Sequence, residues 1–188
     1  MRKVKLQMQL SIDGFVAGPN GEMDWMVWNW DAALMQYVKA LTDPVDTILL
    51  GRVLAQGFIP HWAAAAASPE AADFEHKMDQ THKVVFTKTL ENNEWSNTDL
   101  AKGNLAEEIA ALKRMSGKDI IVYGGSNFVS NLIKAGLIDE YHFFINPSIL
   151  GRGMPIFQEA VDRSTLNLVH AKSFECGIAV LCYQKTQA

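Results

Sequence analysis

Cysteine is scarce in this chain: there are two in 188 residues, Cys176 and Cys182. Six steps of extended chain put them roughly 20 Å apart, beyond disulfide reach. No disulfide framework is expected, and a reducing cytoplasm is the compartment the sequence fits. No apolar run approaches the ~20 residues that span a bilayer. Met1-Arg2-Lys3 leads into alternating polar and apolar residues, unlike the core of a signal peptide. Membranes are therefore not an expected partner. Positive charge is also short. Lys and Arg total 17 against 21 Asp and Glu, for a net charge of −4, which leaves no basic footprint for nucleic acid. The five histidines (His61, His76, His82, His142, His170) form no His-x-x-x-His pair, and no cysteine pairing suits zinc. No serine sits in a Gly-x-Ser-x-Gly elbow. Neither a metal site nor a nucleophilic hydrolase is expected.

What is present is ordinary globular composition, 48% hydrophobic and 20% charged, enough for one domain over residues 1–188. Val4, Leu6, Met8 and Leu10 alternate with Lys5, Gln7 and Gln9, the period of a strand. Gly14, Gly18, Pro19, Asn20 and Gly21 mark a loop, and Asp31 to Leu41 carries one apolar helical face. Short strands are expected at Thr47–Leu50, Val84–Phe86 and Tyr141–Ile145. Ala63–Ala67 reads as helix or connector, and Ser68-Pro69-Glu70 as a helix start with an N-cap and Pro at N1. Asn104 and Glu107 have the spacing of a capping box. Leu166–Phe174 and Ile178–Gln184 read as a hairpin turning near Cys176-Gly177. Strands alternating with helices predict a mainly parallel sheet covered on both faces and closed by an antiparallel C-terminal hairpin.

The most informative segment runs from Asp119 to Gly136. Ile120-Ile121-Val122 forms a strand, Gly124-Gly125 a turn, and a helix begins at Ser126-Asn127-Phe128 and stops at Gly136. Glycines let backbone approach a ligand, and a helix N-terminus presents unpaired N–H groups to an anion. A phosphate site and a tight packing turn are both open readings. Gly51-Arg52 ends another strand, where a phosphate or plain solvent can meet the arginine. Thr87-Lys88 follows a third, offering a hydroxyl and a compact charge at what is otherwise a solvated strand end. Trp25, Trp28 and Trp30 crowd one loop. They suit stacking on a planar heterocycle, covering the sheet, or a dimer surface.

Four motifs in order, Ser11-Ile12-Asp13-Gly14, Leu50-Gly51-Arg52, Gly124-Gly125 and Gly151-Arg152-Gly153, resemble the dihydrofolate reductase-like superfamily. The likeness extends from about Val4 to Tyr183 and leans toward stand-alone proteins similar to the C-terminal reductase domain of bacterial riboflavin biosynthesis. It implies a three-layer α/β/α fold and NADPH as cofactor. Gly51 and Arg52 would then serve the cofactor phosphates, and Thr87 and Lys88 the adenosine ribose and its 2′-phosphate. Gly124, Gly125, Ser126, Asn127 and Phe128 would also bind the cofactor, whose nicotinamide would lie between the Asp13–Gly21 loop and the Gly124-Gly125 turn. Asp13, Ala17 and Gly18 would lie beside the nicotinamide, with Asp13 equally suited to capping its Asp-Gly turn. Related proteins place a hydroxyl residue soon after Gly-Arg, whereas Val53-Leu54-Ala55 stands here.

For the substrate, the resemblance implies a small heterocycle reduced at a C=N or C=O, such as the phosphoribosylaminouracil of riboflavin synthesis. Trp25, Trp28, Trp30 and Arg152 are candidates to hold it. Asp31 is the nearest match to the proton-donating acid of dihydrofolate reductases, but one residue out of register, and it is equally a helix N-cap. Only five arginines occur, and no zinc-deaminase half lies within these residues. A pteridine or dihydrofolate reductase and a non-catalytic dimeric nucleotide-binding protein are the alternatives. A homodimer is expected.

Overall fold

The computed structural model describes residues 1–157 and 163–186. Eight strands form one sheet. They are β1 (Val4–Leu10), β3 (Val45–Gly51), β4 (His82–Phe86), β5 (Thr98–Ala101), β6 (Asp119–Gly124), β7 (Glu140–Ile145), β9 (Leu166–Ser173) and β10 (Ala179–Lys185). Their spatial order is β5-β4-β3-β6-β1-β7-β10-β9. From β5 to β7 every pairing is parallel. β10 then runs antiparallel to both β7 and β9, completing the hairpin that turns at Cys176-Gly177. A two-stranded ribbon, β2 (Phe15–Ala17) with β8 (Met154–Pro155), lies apart from the main sheet.

Helices cover both faces, as a parallel sheet requires. Val4, Leu6, Leu49, Ile120 and Val122 pack in a core with Ile109 of α4 (Leu105–Arg114) and Val129 and Leu132 of α5 (Ser126–Lys134). On the other face, Ile48, Leu50, Val85, Ile121 and Phe144 meet Leu34, Val38 and Leu41 of α1 (Ala32–Thr42). Ala55 and Ile59 of α2 (Arg52–Ala66) and Met78 of α3 (Asp73–Gln80) complete that layer. The architecture is the expected α/β/α with an antiparallel C-terminal hairpin.

Local signals set most element ends. Asp31 caps α1, its Oδ1 accepting from the Leu34 N–H at 2.9 Å. Gly136 (φ +64) ends α5 with its N–H on the Ile133 carbonyl and that of Leu137 on Leu132, a Schellman arrangement. Two boundaries differ from the sequence reading. Ala63–Ala66 is the last turn of α2, and Ser68-Pro69-Glu70 opens no helix. The Ser68 hydroxyl accepts locally from Glu70 N–H, and α3 begins only at Asp73, where Glu75 accepts the Ala72 N–H at 3.0 Å. At α4 the Asn104 side chain does cap, but the returning carboxylate is Glu108, on the Gly103 N–H, and not Glu107.

Candidate functional site

The carboxyl ends of the parallel strands form a rim running from Thr87 past Gly51 and Gly124 to Ser11 and Asn146. Because β6 is inserted between β3 and β1, the chain reverses its winding here, and such a switch point opens a crevice at the strand ends. A cavity of about 600 Å³ lies elsewhere, near Val45 and His82 at the opposite ends of β3 and β4, where neither glycine turn contributes.

On one side of the rim, two helix N-termini abut. Gly51 is the N-cap of α2 and Gly125 that of α5, and neither helix receives a side-chain cap. The turns are close enough that a Cβ on Gly51 would stand 2.9 Å from Phe128 Cβ and 3.2 Å from the Gly125 nitrogen. The Gly124–Gly125 peptide is cis, and Gly124 has φ +140, a value that side-chain-bearing residues rarely adopt. The first-turn N–H groups of both helices, Ser126 and Asn127 among them, are thus left facing the rim. Arg52, in the first turn of α2, makes no hydrogen bond or ion pair with any described residue.

Next to it, Phe86 stacks on Phe128 with centroids 4.7 Å apart, tying the end of β4 to α5. Thr87 is buried, and its Oγ1 accepts from the N–H groups of Thr89 and Leu90 (3.1 and 3.0 Å). Its own proton remains available to a ligand. Lys88 is exposed, but its Nζ already donates to the carbonyls of Lys102 (2.5 Å) and Gly103 (2.7 Å). One of its three N–H bonds is left over.

The other side of the rim is built from side chains. Asp13 accepts from Ser11 Oγ (2.7 Å), Leu150 N–H (3.2 Å) and Gly151 N–H (2.7 Å), tying the Ser11–Gly14 turn to the loop after β7. The Ser11 hydroxyl first, and these N–H groups with it, hold its pKa below the ordinary carboxylate range. Ala17 ends the β2 strand, and its carbonyl lies 2.3 Å from where a Cβ on Gly153 would be, so the ribbon depends on that glycine. Gly18 begins the loop that carries the tryptophans.

That loop has neither helix nor strand from Gly18 to Asp31 and is pinned by two residues that sequence reasoning missed. Asn146, fully buried at the end of β7, accepts the Val27 N–H at 2.9 Å and donates to Gln9 Oε1 at 2.8 Å. Ser148 donates to the Trp25 carbonyl at 3.0 Å. The only sequence signal was position: both residues follow a predicted strand at its carboxyl end. Trp30 is half-buried against Phe144 and Trp28, whereas Trp28 itself is 64% exposed. Trp25 and Arg152 share an open cavity of about 510 Å³ with Gly18, Glu22, Asp24 and Leu150.

Asp31 sits at the edge of this side with both oxygens engaged, Oδ1 by Leu34 N–H and Oδ2 by Cys176 N–H at 3.0 Å. These bonds, Cys176 first, lower its pKa. A carboxylate kept ionised by two backbone donors has no proton to give near neutral pH, so the geometry favours the capping reading of Asp31 over the proton donor.

Fold and rim together define an α/β protein with the dihydrofolate reductase-like architecture. The chain belongs to the RibD C-terminal domain family, which matches residues 2–180. It is 32% identical over 187 residues to the uncharacterized protein YyaP of Bacillus subtilis strain 168, covering 97% of this chain and 94% of that one. Among solved structures it superposes on the Thermotoga maritima diaminohydroxyphosphoribosylaminopyrimidine deaminase/5-amino-6-(5-phosphoribosylamino)uracil reductase with a TM-score of 0.70 at 17% identity. That match covers 98% of this chain but 57% of the bifunctional protein. Dihydrofolate reductase from Enterococcus faecalis, complexed with NADP(H), gives a TM-score of 0.63 at 17% identity, covering 98% and 97% of the two chains.

Proposed function

We propose that this protein is an NADPH-dependent reductase that delivers hydride to a C=N or C=O carbon of a small heterocycle, as 5-amino-6-(5-phosphoribosylamino)uracil reductases do. The observation that carries the proposal is the pair of uncapped helix N-termini meeting at Gly51 and Gly125, with Arg52, unpaired among the described residues, in the first turn of α2. Two positive dipole ends, with an arginine in the first turn of α2 that has no hydrogen bond or ion pair among the described residues, suit a diphosphate. A side chain on Gly51 would collide with Phe128 Cβ and the Gly125 nitrogen, so glycine here is what lets the two N-termini stand side by side. Family membership supports the same reading.

In this proposal the first turns of α2 and α5 and Arg52 hold the pyrophosphate, while Thr87 and the remaining N–H of Lys88 reach the adenosine ribose and its 2′-phosphate. No acidic side chain stands beside Thr87 and Lys88 in sequence to claim the ribose hydroxyls, which favours NADPH over NADH. The bound cofactor supplies the hydride. Ala17, Gly18 and the tryptophan loop align the substrate and keep water away. With Asp13 and Asp31 both engaged by backbone N–H groups, the completing proton comes from water.

One observation favours a second reading, a nucleotide-binding protein without turnover: both carboxylates suggested for the active cleft are occupied structurally. Calorimetry with NADPH and NADH on wild type and Arg52→Ala tests the cofactor. The expected result is NADPH binding at least tenfold tighter than NADH and weakened in the variant. Absence of binding by either nucleotide would remove the reductase proposal. Slow NADPH oxidation stimulated by pyrimidine or pterin substrates then separates reductase from binder.

A further inference from the structure

Linear spacing in the chain shows no metal-ligand motif, but the sheet brings three potential ligands together far from the rim. Glu140 and His142 are two apart on β7 and so share a face, and Cys182 on β10 is the direct antiparallel partner of His142. Their ligand atoms, a carboxylate oxygen, an imidazole nitrogen and a thiol sulfur, all lie within 4.8 Å of one another. His142 and Cys182 are 4% and 2% exposed.

We propose that Glu140, His142 and Cys182 bind a zinc-type divalent ion that staples β7 to the C-terminal hairpin. Three features point that way. First, the donor set is borderline-soft: a thiolate, an imidazole and a carboxylate are a zinc combination and a poor one for calcium or magnesium. Second, the spacing is right. His142 Nε2 is 2.7 Å from Glu140 Oε1 and 3.9 Å from Cys182 Sγ. Those values bracket the roughly 3.3–3.6 Å edges of a tetrahedron with metal–ligand bonds of about 2.0–2.3 Å, and the three atoms lie within 4.8 Å of one another, so binding draws the thiol and carboxylate together by about an ångström.

Third, the supporting partners are in place. The other ring nitrogen, His142 Nδ1, lies 2.6 Å from Tyr37 Oη, which in turn lies 3.0 Å from His170 Nε2. This chain can run in either direction. With Nδ1–H donating to Tyr37 and Tyr37 donating to His170, the Nε2 lone pair faces the metal and every polar group stays satisfied. The second carboxylate oxygen of Glu140 is held by Gln184 Nε2 at 3.0 Å and by Lys3 Nζ at 3.6 Å, leaving Oε1 as the ligand. Lys5 is paired with Asp119 at 3.0 Å. Binding replaces the thiol proton of Cys182 with the ion, so about one proton leaves per ion bound.

The test uses the full chain, stripped with a chelator and titrated with Zn²⁺ by calorimetry in buffers of different ionisation enthalpy. Co²⁺ serves as a spectroscopic probe. The expected outcome is one equivalent of zinc with release of about one proton, and a thiolate-to-cobalt charge-transfer band. The thermal midpoint should rise by roughly 5–10 °C at a hundredfold excess of zinc over Kd. Band and midpoint rise should both vanish in Cys182→Ser, and survive in His61→Ala, a surface histidine outside the cluster. A wild type that shows no thiolate band with Co²⁺ overturns the proposal even if zinc sticks elsewhere and whether or not the variant folds. So does zinc binding of equal strength in a folded Cys182→Ser.

Discussion

The two halves of the rim are made differently. On the β4–β3–β6 side the polar groups that face the crevice belong mainly to backbone, and apart from those of Thr87 and Lys88 they are unspent: two helix N-termini lack side-chain caps and Arg52 lacks a partner among the described residues. On the β1–β7–β10 side the polar groups belong to side chains and are spent. Asp13, Asp31 and Asn146 each hold one loop against another. Unspent donors in a crevice imply a ligand that completes them, whereas spent ones imply a shaped wall. The contrast separates a half built to bind an anion from a half built to position loops, and substitutions in each should fail in different ways.

The largest effect is expected at Gly51→Val. Its side chain would collide with Phe128 Cβ and the Gly125 nitrogen, forcing the two helix N-termini out of their shared alignment. NADPH affinity should fall by roughly a hundredfold or more, with overpacking costing about 1–3 kcal/mol of stability. Calorimetry and a urea melt on the same preparation check both. Unchanged NADPH affinity in a folded variant would mean that the anion lies elsewhere. Arg52→Ala should be the cleaner probe, because the side chain makes no hydrogen bond or ion pair with any described residue. Loss of one charge-assisted contact of about 1.5–3 kcal/mol predicts roughly 10–100-fold weaker NADPH binding. Stability should stay within about 0.5 kcal/mol of wild type. If stability falls as much as binding, Arg52 supports the fold and the contrast between the halves is lost.

The unspent half was the more legible in sequence, for a physical reason. A strand, a glycine turn and a helix start are local features, so Gly51-Arg52 and Gly124-Gly125 could be found by pattern, although their abutment needed the β3–β6 pairing. The spent half depends on bonds between residues more than a hundred positions apart, such as Asn146 with Val27 and Asp31 with Cys176. No local signal marks these. Lys88 shows the same limit, since its charge was visible but its carbonyl partners at Lys102 and Gly103 were not. The three-layer fold and the C-terminal hairpin were readable because period and turn chemistry repeat along each element. Ser68-Pro69-Glu70 was misleading because a local turn satisfied the same groups that a helix start would.

On the wall side, Trp28→Ala should act on substrate and not on cofactor. The ring is 64% exposed and stacks only on Trp30 among the described aromatic contacts, at 6.2 Å. An aromatic contact of about 1 kcal/mol predicts roughly a fivefold rise in KM for a heterocyclic substrate, with NADPH affinity unchanged. Steady-state kinetics with each ligand varied in turn makes the comparison. A loss of NADPH affinity instead would mean that the tryptophan loop covers the cofactor.

Asp31→Asn should have the smallest effect on activity and is the sharpest test of whether this half is only a wall. A proton donor near neutral pH needs a raised pKa, and removing one ordinarily costs about 10²–10⁴ in rate. Asp31 has the reverse, a pKa lowered by the Cys176 and Leu34 N–H groups. Its folded pKa is depressed, so its contribution to stability is present above the unfolded value of 3.8 and is lost as pH falls through the folded one. An amide can accept with one end only, so the variant should melt a few degrees lower at pH 7, and the gap should close below about pH 4. Across pH 5 to 8, kcat should stay within about twofold of wild type, because the ionised form capping α1 is already the only one populated. A hundredfold fall in kcat with the thermal midpoint intact would return Asp31 to catalysis and make the β1–β7–β10 side a reacting surface.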